Sequence, residues 1–457
     1  MSQVLKKVHF IAIGGSVMSN LAVALLKNGI DVSGSDDEIY DPAHALLAAH
    51  DLLPNKQGWN ADNIKGDIDA IILGMHAKSD NPELIKAQEL GIPVYSYPEF
   101  ITMHAENKQR IVICGSHGKT TITSMIVHVL RFLGREVDYM VGAKIEGIEE
   151  TIHLSEAPVM VVEGDEYLSS PIDRAPKFLK YNHHIALISG IAWDHINVYP
   201  TIDSYVEQFE ILADSTPKAG SLIFFDQDHM TSVICNKERE DVKILPYNEH
   251  PYNVREGRFY LKAPSGQVPV HVFGKHNMQN IAGAKMVLSR IGVTEDSFYE
   301  AIREFKGSYK RNSLIAKNDS TSIYEDYAHS PSKLNATIDG LKELYPDRRL
   351  FACYELHTFS SLNKAFLREY AGKLQSADIA VVFLNDENLS KKGYPSISDD
   401  EIKNAFERND IHIFHKIEQL KAYIKEQQWN NSNLIFMSSG NFNGMDIHQL
   451  ANTITGQ

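Results

Sequence analysis

The sequence predicts three α/β domains in series: an N-terminal Rossmann-like domain, a central domain with a P-loop ATPase-like parallel sheet and added β-hairpins, and a C-terminal Rossmann-like domain. Three observations predict this arrangement. Apolar strand-like runs alternate with stretches of helical period, which is typical of βαβ units. One glycine-rich turn follows the first strand, and a second follows a strand near residue 110. The length of 457 residues suits about three domains of ordinary size.

We place the domain boundaries in polar stretches without periodicity. HAENKQ separates residues 1–106 from residues 107–311, and SYKRN precedes a third domain at residues 312–457. Within the central domain, SLIFFD and RFYLKAPSGQVPVHVF predict the added β-hairpins. Helical periodicity predicts a helix from Asn277 to Arg290, and SLNKAFLREYAGKL in the third domain predicts another.

Composition excludes several classes of protein. Hydrophobic residues make up 43% and charged residues 23% of the chain, which is the balance of a folded globular protein. The net charge of −14 argues against a protein that binds nucleic acid by its charge. The 3 cysteines are too widely spaced for a disulfide framework or a CxxC metal site, which fits a reducing compartment. Since no apolar run resembles a secretory signal or a membrane span, we expect a cytoplasmic protein without membrane contact.

The first glycine turn predicts a nucleotide-diphosphate site in the N-terminal domain. Gly14 and Gly15 follow an apolar strand, and the next strand leads into SGSD. Asp36 lies 21 residues after Gly15, close to the spacing of a ribose-binding carboxylate. Ala12 and Val17 occupy two glycine positions of the GxGxxG pattern, so a nicotinamide cofactor is only weakly indicated. A glycine pair that only packs a helix against a strand is the alternative.

The second glycine turn predicts an ATP site. CGSHGKTT at 114–121 lies between the strand RIVIC and an amphipathic helix. Backbone N–H groups of such a turn can converge on phosphate oxygens, and the helix N-terminus adds a positive dipole. Lys119 would reach the β- and γ-phosphates, and the Thr120 hydroxyl would bind Mg²⁺. Ile113 stands where the full GxxxxGK[ST] pattern has its first glycine, so a plain glycine turn with a surface lysine is the alternative.

Polar residues at the ends of neighbouring strands predict a metal site beside this loop. VVEGDE places Glu163 at the end of an apolar strand, where an ATPase has its metal-binding carboxylate. The strand IALISGIAW leads into Asp194 and His195. Because the carboxyl ends of parallel strands meet at one edge of a sheet, these groups are expected to lie together. Each residue alone is more often a solvated loop residue, but beside a phosphate loop they predict a Mg·ATP site.

These motifs, in this order, resemble those of the Mur ligase family, ATP-dependent amide-bond-forming enzymes of peptidoglycan synthesis. HFIAIGGSVMS and SGSD resemble the UDP-muramate-binding domain of the muramate–alanine ligase branch, and GSHGKTT resembles the family's phosphate loop. EGDE and WDH are similar to its metal-binding strands, and GKHNMQN at 274–280 is similar to its adenine-binding motif. EDYAHSP at 325–331 resembles the start of its third domain. The resemblance runs along nearly the whole chain.

The resemblance implies a role for each matching residue, with ATP and Mg²⁺ as cofactors. The phosphate-binding residues would be Gly115, Ser116, His117, Gly118, Lys119, Thr120 and Thr121. The metal ligands would be Thr120, Glu163 and His195. The UDP-sugar-binding residues would be Gly14, Gly15, Ser16, Met18, Ser35 and Asp36.

The remaining implied residues come from the adenine motif and the third domain. The adenine-side residues would be His276, Asn277 and Asn280, with Asn280 in direct contact with the base. Arg311 would contact phosphate, Asp326 would contact the ribose or phosphates of ATP, and His329 would lie near the acyl-phosphate site. The catalytic residues implied by the resemblance are Lys119, His195 and His329.

Two segments favour the recycling branch of the family, the muropeptide ligases. They are EGDEYLSSPIDRAPKFLKY at 163–181 and SSGNFNGM at 438–445. Members of that branch join UDP-N-acetylmuramate to the tripeptide L-alanyl-γ-D-glutamyl-meso-diaminopimelate through an acyl phosphate. Both this branch and the alanine-adding branch lack the carbamylated lysine of many relatives, and residues 196–217 here contain no lysine. YELHTFSS at 354–361 departs from the expected pattern, so the amine is less firmly indicated than the family.

Three alternatives remain from the sequence. The nearest is the UDP-N-acetylmuramate–L-alanine ligase of peptidoglycan biosynthesis, which shares the ATP chemistry and differs in the amine. The others are an NAD-dependent oxidoreductase built on the first glycine turn, and a nucleotide-binding regulatory protein without turnover. As partners we expect UDP-N-acetylmuramate and a peptide or amino acid amine, no nucleic acid, and a monomer or weak homo-oligomer.

Overall fold

The structure is a computed structural model that describes residues 5–195 and 197–456. These residues form four sheets, three of them mainly parallel and one antiparallel, which confirms the predicted α/β class. The chain divides into two compact units. The first comprises the residues up to 248 together with 283–298, and the second comprises 249–282 and the residues from 299 onward. The domain boundaries that we placed at 106/107 and 311/312 stay predictions.

The N-terminal region of the first unit is a four-stranded parallel sheet. Its elements are β1 (Lys7–Ile11), α1 (Ser16–Lys27), β2 (Asp31–Ser35), α2 (Ala43–Ala48), β3 (Ala70–Leu73), α3 (Pro82–Glu89), β4 (Val94–Ser96) and α4 (Tyr97–His104). The strand order is β2-β1-β3-β4. The glycine turn follows β1, Asp36 follows β2 and Tyr97 follows β4. All three therefore lie at the carboxyl edge of this sheet.

The central region of the first unit is a seven-stranded sheet. Its elements are β5 (Gln109–Cys114), α5 (Lys119–Phe132), β6 (Asp138–Met140), β7 (Ile152–His153), β8 (Val159–Glu163), α6 (Lys177–Lys180), β9 (Ile185–Ile188), α7 (Ile202–Asp214), β10 (Ser221–Phe225), α8 (His229–Cys235) and β11 (Lys243–Tyr247). The order is β11-β10-β9-β5-β8-β6-β7, and β7 alone among these strands pairs antiparallel. The hairpin predicted from SLIFFD is wrong, because β10 pairs in parallel with β9 and β11. Its buried apolar run is typical of an internal parallel strand.

The second unit begins with a small antiparallel sheet that confirms the hairpins predicted from RFYLKAPSGQVPVHVF. Its strands are β12 (Tyr252–Arg255), β13 (Arg258–Ala263) and β14 (Gly266–Val270). Two helices follow, α9 (Lys275–Arg290) and α10 (Glu295–Ile302), and each passes from one unit into the other. The helix predicted from Asn277 is confirmed, with its start two residues earlier.

The rest of the second unit is a six-stranded sheet. Its elements are β15 (Ser313–Lys317), β16 (Thr321–Asp326), α11 (Pro331–Leu344), β17 (Arg349–Leu356), α12 (Lys364–Leu367), β18 (Ile379–Leu384), α13 (Asp386–Lys391), α14 (Asp399–Phe406), β19 (His412–Phe414), α15 (Ile417–Lys425), β20 (Ser432–Met437) and α16 (Ile447–Thr455). The order is β15-β16-β20-β17-β18-β19, with β15 antiparallel to β16.

The long helix predicted from SLNKAFLREYAGKL is wrong. The chain forms only α12 and a single 3₁₀ turn at Arg368–Tyr370. Ala371 then adopts an extended conformation with ψ 123°, and Gly372 has a φ of 71°. These two residues end the helical period although the apolar spacing continues.

Two further expectations concern the chain as a whole. The three cysteines, Cys114, Cys235 and Cys353, are buried and free. No described helix combines the length and the apolar composition that crossing a bilayer requires.

Candidate functional site

The predicted phosphate loop joins β5 to α5 in the first unit. Gly115 has a φ of 117° and Gly118 a φ of 80°, a backbone conformation that favours glycine. A Cβ on Gly115 would lie 2.9 Å from the backbone nitrogen of Ser189, so a side chain does not fit there. The Ser116 N–H donates to the Gly190 carbonyl at 3.0 Å. The loop is therefore anchored to the residues that follow β9.

Side chains of the loop strengthen this anchoring. The Ser116 hydroxyl lies 2.8 Å from the Tyr205 hydroxyl and accepts the Ala192 N–H at 2.9 Å. His117 and Thr121 are half-buried at the start of α5. All seven predicted phosphate-binding residues thus lie in one loop and the first turn of one helix, and a helix N-terminus of this kind favours an anion.

Lys119 is the first residue of α5, and its ammonium group is already paired. Nζ donates to the Gly115 carbonyl at 2.7 Å and to Glu166 Oε2 at 2.7 Å. Burial lowers the pKa of Lys119, but the negative charges of Glu166 and Asp165 raise it well above its ordinary value. Lys119 is therefore a fixed positive charge inside the loop.

Thr120 and Glu163, two of the three predicted metal ligands, are in direct contact. The Thr120 hydroxyl donates to Glu163 Oε1 at 2.8 Å. The Gly142 N–H donates to Glu163 Oε2 at 2.7 Å, and a Cβ on Gly142 would lie 2.7 Å from that oxygen. The carboxylate is thus held at the end of β8 beside the first turn of α5.

His195, the third predicted ligand, pairs with a carboxylate that we did not predict from the sequence. Its Nε2 lies 3.6 Å from Glu166 Oε1, and the ligand atoms of Asp165, Glu166 and His195 all lie within 4.8 Å of one another. Burial lowers the pKa of His195, but Glu166 and Asp194 raise it above its ordinary value. The acidic run EGDE was a signal for Glu166, but the sequence does not show which carboxylate faces His195.

Glu166 is the most deeply enclosed group of this cluster, with 1% of its side chain exposed. Oε1 accepts the Tyr205 hydroxyl at 3.0 Å, and Oε2 accepts Lys119. Burial raises the pKa of Glu166, but Lys119 and His195 hold it far below its usual range. Glu166 is therefore ionised and connects the phosphate-loop lysine to the imidazole.

The donor set of this cluster fits a hard divalent cation. Three carboxylates and one hydroxyl supply oxygen donors, which Mg²⁺ prefers, and His195 adds one imidazole nitrogen. The residues that supply these donors are Thr120 and Glu163, which contact each other, and the group Asp165, Glu166 and His195.

The first glycine turn and Asp36 lie side by side, as the sequence predicts. The Gly14 N–H donates to Asp36 Oδ2 at 2.7 Å, and a Cβ on Gly14 would lie 2.8 Å from the same oxygen. Gly15 precedes α1 and Ser16 begins it. These residues leave backbone N–H groups at a helix start that suit a diphosphate.

Two other predicted UDP-sugar residues use their side chains within the domain. The Ser35 hydroxyl donates to the buried carboxylate of Glu83. Met18 is 4% exposed and packs in the core. Any contact of these residues with a ligand would therefore involve their backbone or follow a rearrangement.

Asp36→Asn is expected to remove a pH dependence of stability. Burial raises the pKa of Asp36 from 3.8 to about 6, so the folded protein binds this proton more readily than the unfolded chain. Stability that is present at low pH is therefore lost as the pH rises from about 4 to about 6. The melting temperature of Asp36→Asn minus that of the wild type should therefore be about 3 °C larger at pH 7.5 than at pH 4.5. Thermal melts check this, with the exposed Asp80→Asn as the control; parallel curves for Asp36→Asn and the wild type would contradict it.

The adenine-side residues lie at the start of α9 in the second unit. His276 Nε2 lies 3.2 Å from Asn277 Nδ2 and 3.1 Å from Asn312 Nδ2. Since both amide nitrogens are donors, Nε2 accepts and the ring proton is assigned to Nδ1. Burial lowers the pKa of His276, so the ring is neutral. The Asn280 amide donates to Asn277 Oδ1 at 3.2 Å.

Asp326 lies at the end of β16 and holds this cluster together. Its Oδ1 accepts the Asn312 N–H at 3.0 Å, and its Oδ2 accepts the Thr337 hydroxyl at 2.7 Å. Asn312 has a φ of 51° and carries the amide that faces His276. Asp326 is 8% exposed, so its first structural role is to position Asn312.

Arg311 and His329 lie nearby in the same unit. The Arg311 guanidinium lies 4.6 Å from the centre of the Tyr327 ring. His329 Nδ1 donates to the Tyr327 carbonyl at 2.9 Å, and the His329 carbonyl accepts the Tyr354 hydroxyl at 2.9 Å.

Several buried polar atoms of this cluster have no hydrogen-bond partner within the described part of the chain. They are His276 Nδ1, Arg311 Nε, Asn312 Oδ1 and Ser330 Oγ. A buried polar atom without a partner costs free energy. The cluster is therefore suited to a polar ligand that supplies the missing partners.

Family models match the chain in three consecutive segments. Residues 7–109 match the Mur ligase family catalytic domain, residues 113–288 the Mur ligase middle domain, and residues 310–440 the Mur ligase glutamate ligase domain.

Curated relatives and solved structures agree with these matches. The chain is 29% identical over 450 residues to the UDP-N-acetylmuramate–L-alanine ligase of Carboxydothermus hydrogenoformans, covering 95% of this chain and 94% of the relative. It is 32% identical over 387 residues to the ligase of the same name from Sulfurihydrogenibium, covering 82% of each. The UDP-N-acetylmuramate–alanine ligase of Thermotoga maritima is similar in structure, with a TM-score of 0.72, 21% identity and 98% of each chain covered. A murein peptide ligase of Psychrobacter arcticus has a TM-score of 0.66, 21% identity and 99% of each chain covered.

Proposed function

The chain belongs to the Mur ligase family, and from that premise we propose that it joins the lactyl carboxylate of UDP-N-acetylmuramate to the α-amine of L-alanine. The chain is an ATP-dependent amide ligase of this family. Free L-alanine is the amine supported by relatives that match over most of both chains. The sequence segments that favoured the tripeptide receive less support from these relatives.

The observation that carries the ATP chemistry is the pairing of Lys119 with Glu166 in a buried phosphate loop. A carboxylate is a poor acyl donor, so amide formation in water needs activation. In the proposed first step, a muramate carboxylate oxygen attacks the γ-phosphorus of ATP, the bond to the bridging oxygen breaks, and ADP leaves. The product is an acyl phosphate.

In the second step the amine attacks the acyl carbon and phosphate leaves, with loss of a proton from nitrogen. Lys119 neutralises charge on the phosphate oxygens, and the loop N–H groups orient them. When bound, Mg²⁺ would supply a divalent positive charge to the phosphates; Thr120, Glu163, Glu166 and His195 are the residues proposed to hold it.

The second unit contributes the proposed adenosine contacts. Buried polar atoms without partners, on His276 and Asn312, support binding of a polar ligand at this cluster. Asn280 stays the proposed base contact, and Asp326 the proposed ribose or phosphate contact. His329 stays a proposed residue of the acyl-transfer step.

A second candidate amine is the tripeptide L-alanyl-γ-D-glutamyl-meso-diaminopimelate. Both amines present the nitrogen of an L-alanyl residue, so the bond formed is the same. The segment 163–181, which favoured the recycling branch, places Lys177 in an ion pair with Asp165 beside the candidate site. The likeness of this segment to the recycling branch is what keeps the tripeptide as a candidate.

Mass spectrometry of reaction products tests the proposal. Purified protein, ATP, Mg²⁺ and UDP-N-acetylmuramate are incubated with L-alanine in one tube and with the tripeptide in another; a third tube contains neither amine. We expect the UDP-muramoyl-alanine mass in the first tube. A product only in the second tube would establish the recycling activity instead, and no product in either would contradict both.

A further inference from the structure

Lys177 is a largely enclosed cation beside the candidate site that the proposed mechanism does not use. It begins α6, and 12% of its side chain is exposed. Its Nζ lies 2.5 Å from Asp165 Oδ2 and 5.5 Å from the ring centres of both Tyr97 and Tyr167. Burial lowers the pKa of Lys177, but the attraction of Asp165 outweighs this and raises it above its ordinary value. The side chain is therefore charged at neutral pH.

A row of alternating charges connects Lys177 to the phosphate loop. Lys177 pairs with Asp165, whose carboxylate lies within 4.8 Å of the ligand atoms of Glu166 and His195. Glu166 in turn pairs with Lys119 at 2.7 Å. The two lysines thus occupy opposite ends of the row, and Lys119 occupies the end at the phosphate loop.

Tyr97 places the other end of the row near the N-terminal sheet. This residue directly follows β4, at the sheet edge that also carries the glycine turn and Asp36. Ligands of parallel sheets bind at the carboxyl edges of their strands. Lys177 therefore lies next to the edge assigned to the UDP-sugar, while Asp165 connects it to the edge assigned to ATP.

The proposed reaction brings two anions together, and Lys177 is a cation beside the site where they would meet. The muramate carboxylate and the γ-phosphate are both anionic, and their approach needs positive charge on each side. An ammonium group has three N–H donors, and within the described residues Nζ of Lys177 donates one hydrogen bond, to Asp165. We propose that Lys177 binds the lactyl carboxylate of the UDP-sugar and holds it beside the phosphate loop. This inference rests on the proposed function, from which it takes the identity of the sugar.

The test compares two nucleotide sugars that differ in the carboxylate. UDP-N-acetylglucosamine lacks the lactyl group of UDP-N-acetylmuramate. Isothermal titration calorimetry without ATP measures the affinity of both for the wild type and for Lys177→Met. We expect Lys177→Met to weaken UDP-N-acetylmuramate binding by about 10- to 100-fold, as for the loss of a charged hydrogen bond. Its affinity for UDP-N-acetylglucosamine should stay as in the wild type.

Lys180→Met is the matched control. Lys180 lies on the same short helix, pairs with Glu99 at 3.6 Å and with Asp173, and contacts none of the site carboxylates named above. This variant should keep the preference for UDP-N-acetylmuramate. A Lys177→Met variant with the wild-type preference would overturn the proposal.

Lys177→Met leaves Asp165 unpaired and could for that reason bind neither sugar. A double variant is used in that case. Asp165→Asn with Lys177→Met removes both charges. Binding of UDP-N-acetylglucosamine without a preference for the muramate would support the proposal. A restored preference would overturn it, because Lys177 would then act only by neutralising Asp165. If the proposed function itself is wrong, the result is different: the wild type forms no product, or it binds UDP-N-acetylmuramate no more tightly than UDP-N-acetylglucosamine.

Discussion

Lys119→Ala is expected to lower ATP-dependent product formation by at least about 10³-fold, the scale seen when a cation is removed from a transferring phosphoryl group. Lys119 is the fixed positive charge of the phosphate loop, since it begins α5 and donates to the Gly115 carbonyl at 2.7 Å. Alanine supplies no charge to the γ-phosphate, so the barrier to the first step rises. The UDP-sugar residues around Gly14 and Asp36 are not in this contact and should keep their affinity.

The measurement pairs product formation with UDP-sugar binding on the same preparation. Lys144→Ala is the control, because Lys144 is exposed and pairs only with Glu149 among the residues described. Retained UDP-sugar binding with loss of product shows that the protein is folded and that the defect lies in ATP chemistry. Full product formation by Lys119→Ala would contradict the assignment of the phosphate loop.

The fold was predictable where local patterns are strong. The glycine turns after β1 and β5 follow buried apolar strands and precede helices, and both are found where the sequence places them. The helix from Asn277 was predicted because its apolar spacing is regular over several turns. The stretch from 361 to 374 has similar spacing, yet the chain leaves the helix at Ala371, because tertiary packing overrides a weak local preference.

The candidate site was predictable in its motifs but not in its pairings. Lys119, Thr120, Glu163 and His195 were identified because each lies at or after the end of a strand or in the first turn of a helix. Glu166 was missed, because three acidic residues in EGDE have the same chemistry and only the tertiary structure shows which one contacts Lys119 and His195.

Long-range side-chain pairings within each unit cannot be predicted from sequence patterns for the same reason. Lys177 lies 12 residues after Asp165, in a segment that carries no known spacing for an ion pair. In the second unit, Asp326 was expected to contact ATP, but in the structure its two carboxylate oxygens accept hydrogen bonds from Asn312 and Thr337. Such contacts depend on how separate strands are placed side by side.

Glu166→Gln is expected to raise the Mg²⁺ concentration needed for half-maximal activity by about 10- to 100-fold. It should also lower turnover at saturating Mg²⁺ by about 10²-fold. Glutamine keeps the size of the side chain and can still accept a hydrogen bond from the Tyr205 hydroxyl, which lies 3.0 Å from Glu166 Oε1 in the wild type. It removes the charge that pairs with Lys119 and faces His195.

Two physical changes follow from that loss of charge. Burial lowers the pKa of Lys119 while Glu166 raises it, so without the carboxylate the lysine holds its proton less firmly. The cluster also loses one ionised oxygen donor, and Mg²⁺ prefers such donors over amides. Both changes act on phosphate and metal binding and leave the UDP-sugar site untouched.

Steady-state kinetics as a function of Mg²⁺ concentration checks this, with Tyr205→Phe as the control. Phenylalanine removes the hydroxyl that donates to Glu166 but leaves the carboxylate charged, so its effect on the Mg²⁺ dependence should be smaller than that of Glu166→Gln. If Glu166→Gln lowered turnover but kept the wild-type Mg²⁺ dependence, Glu166 would serve only to position Lys119. If both variants behaved like the wild type, the pairing of Lys119 with Glu166 would have no part in the reaction, and the metal site would have to be built on Thr120, Glu163 and His195 alone.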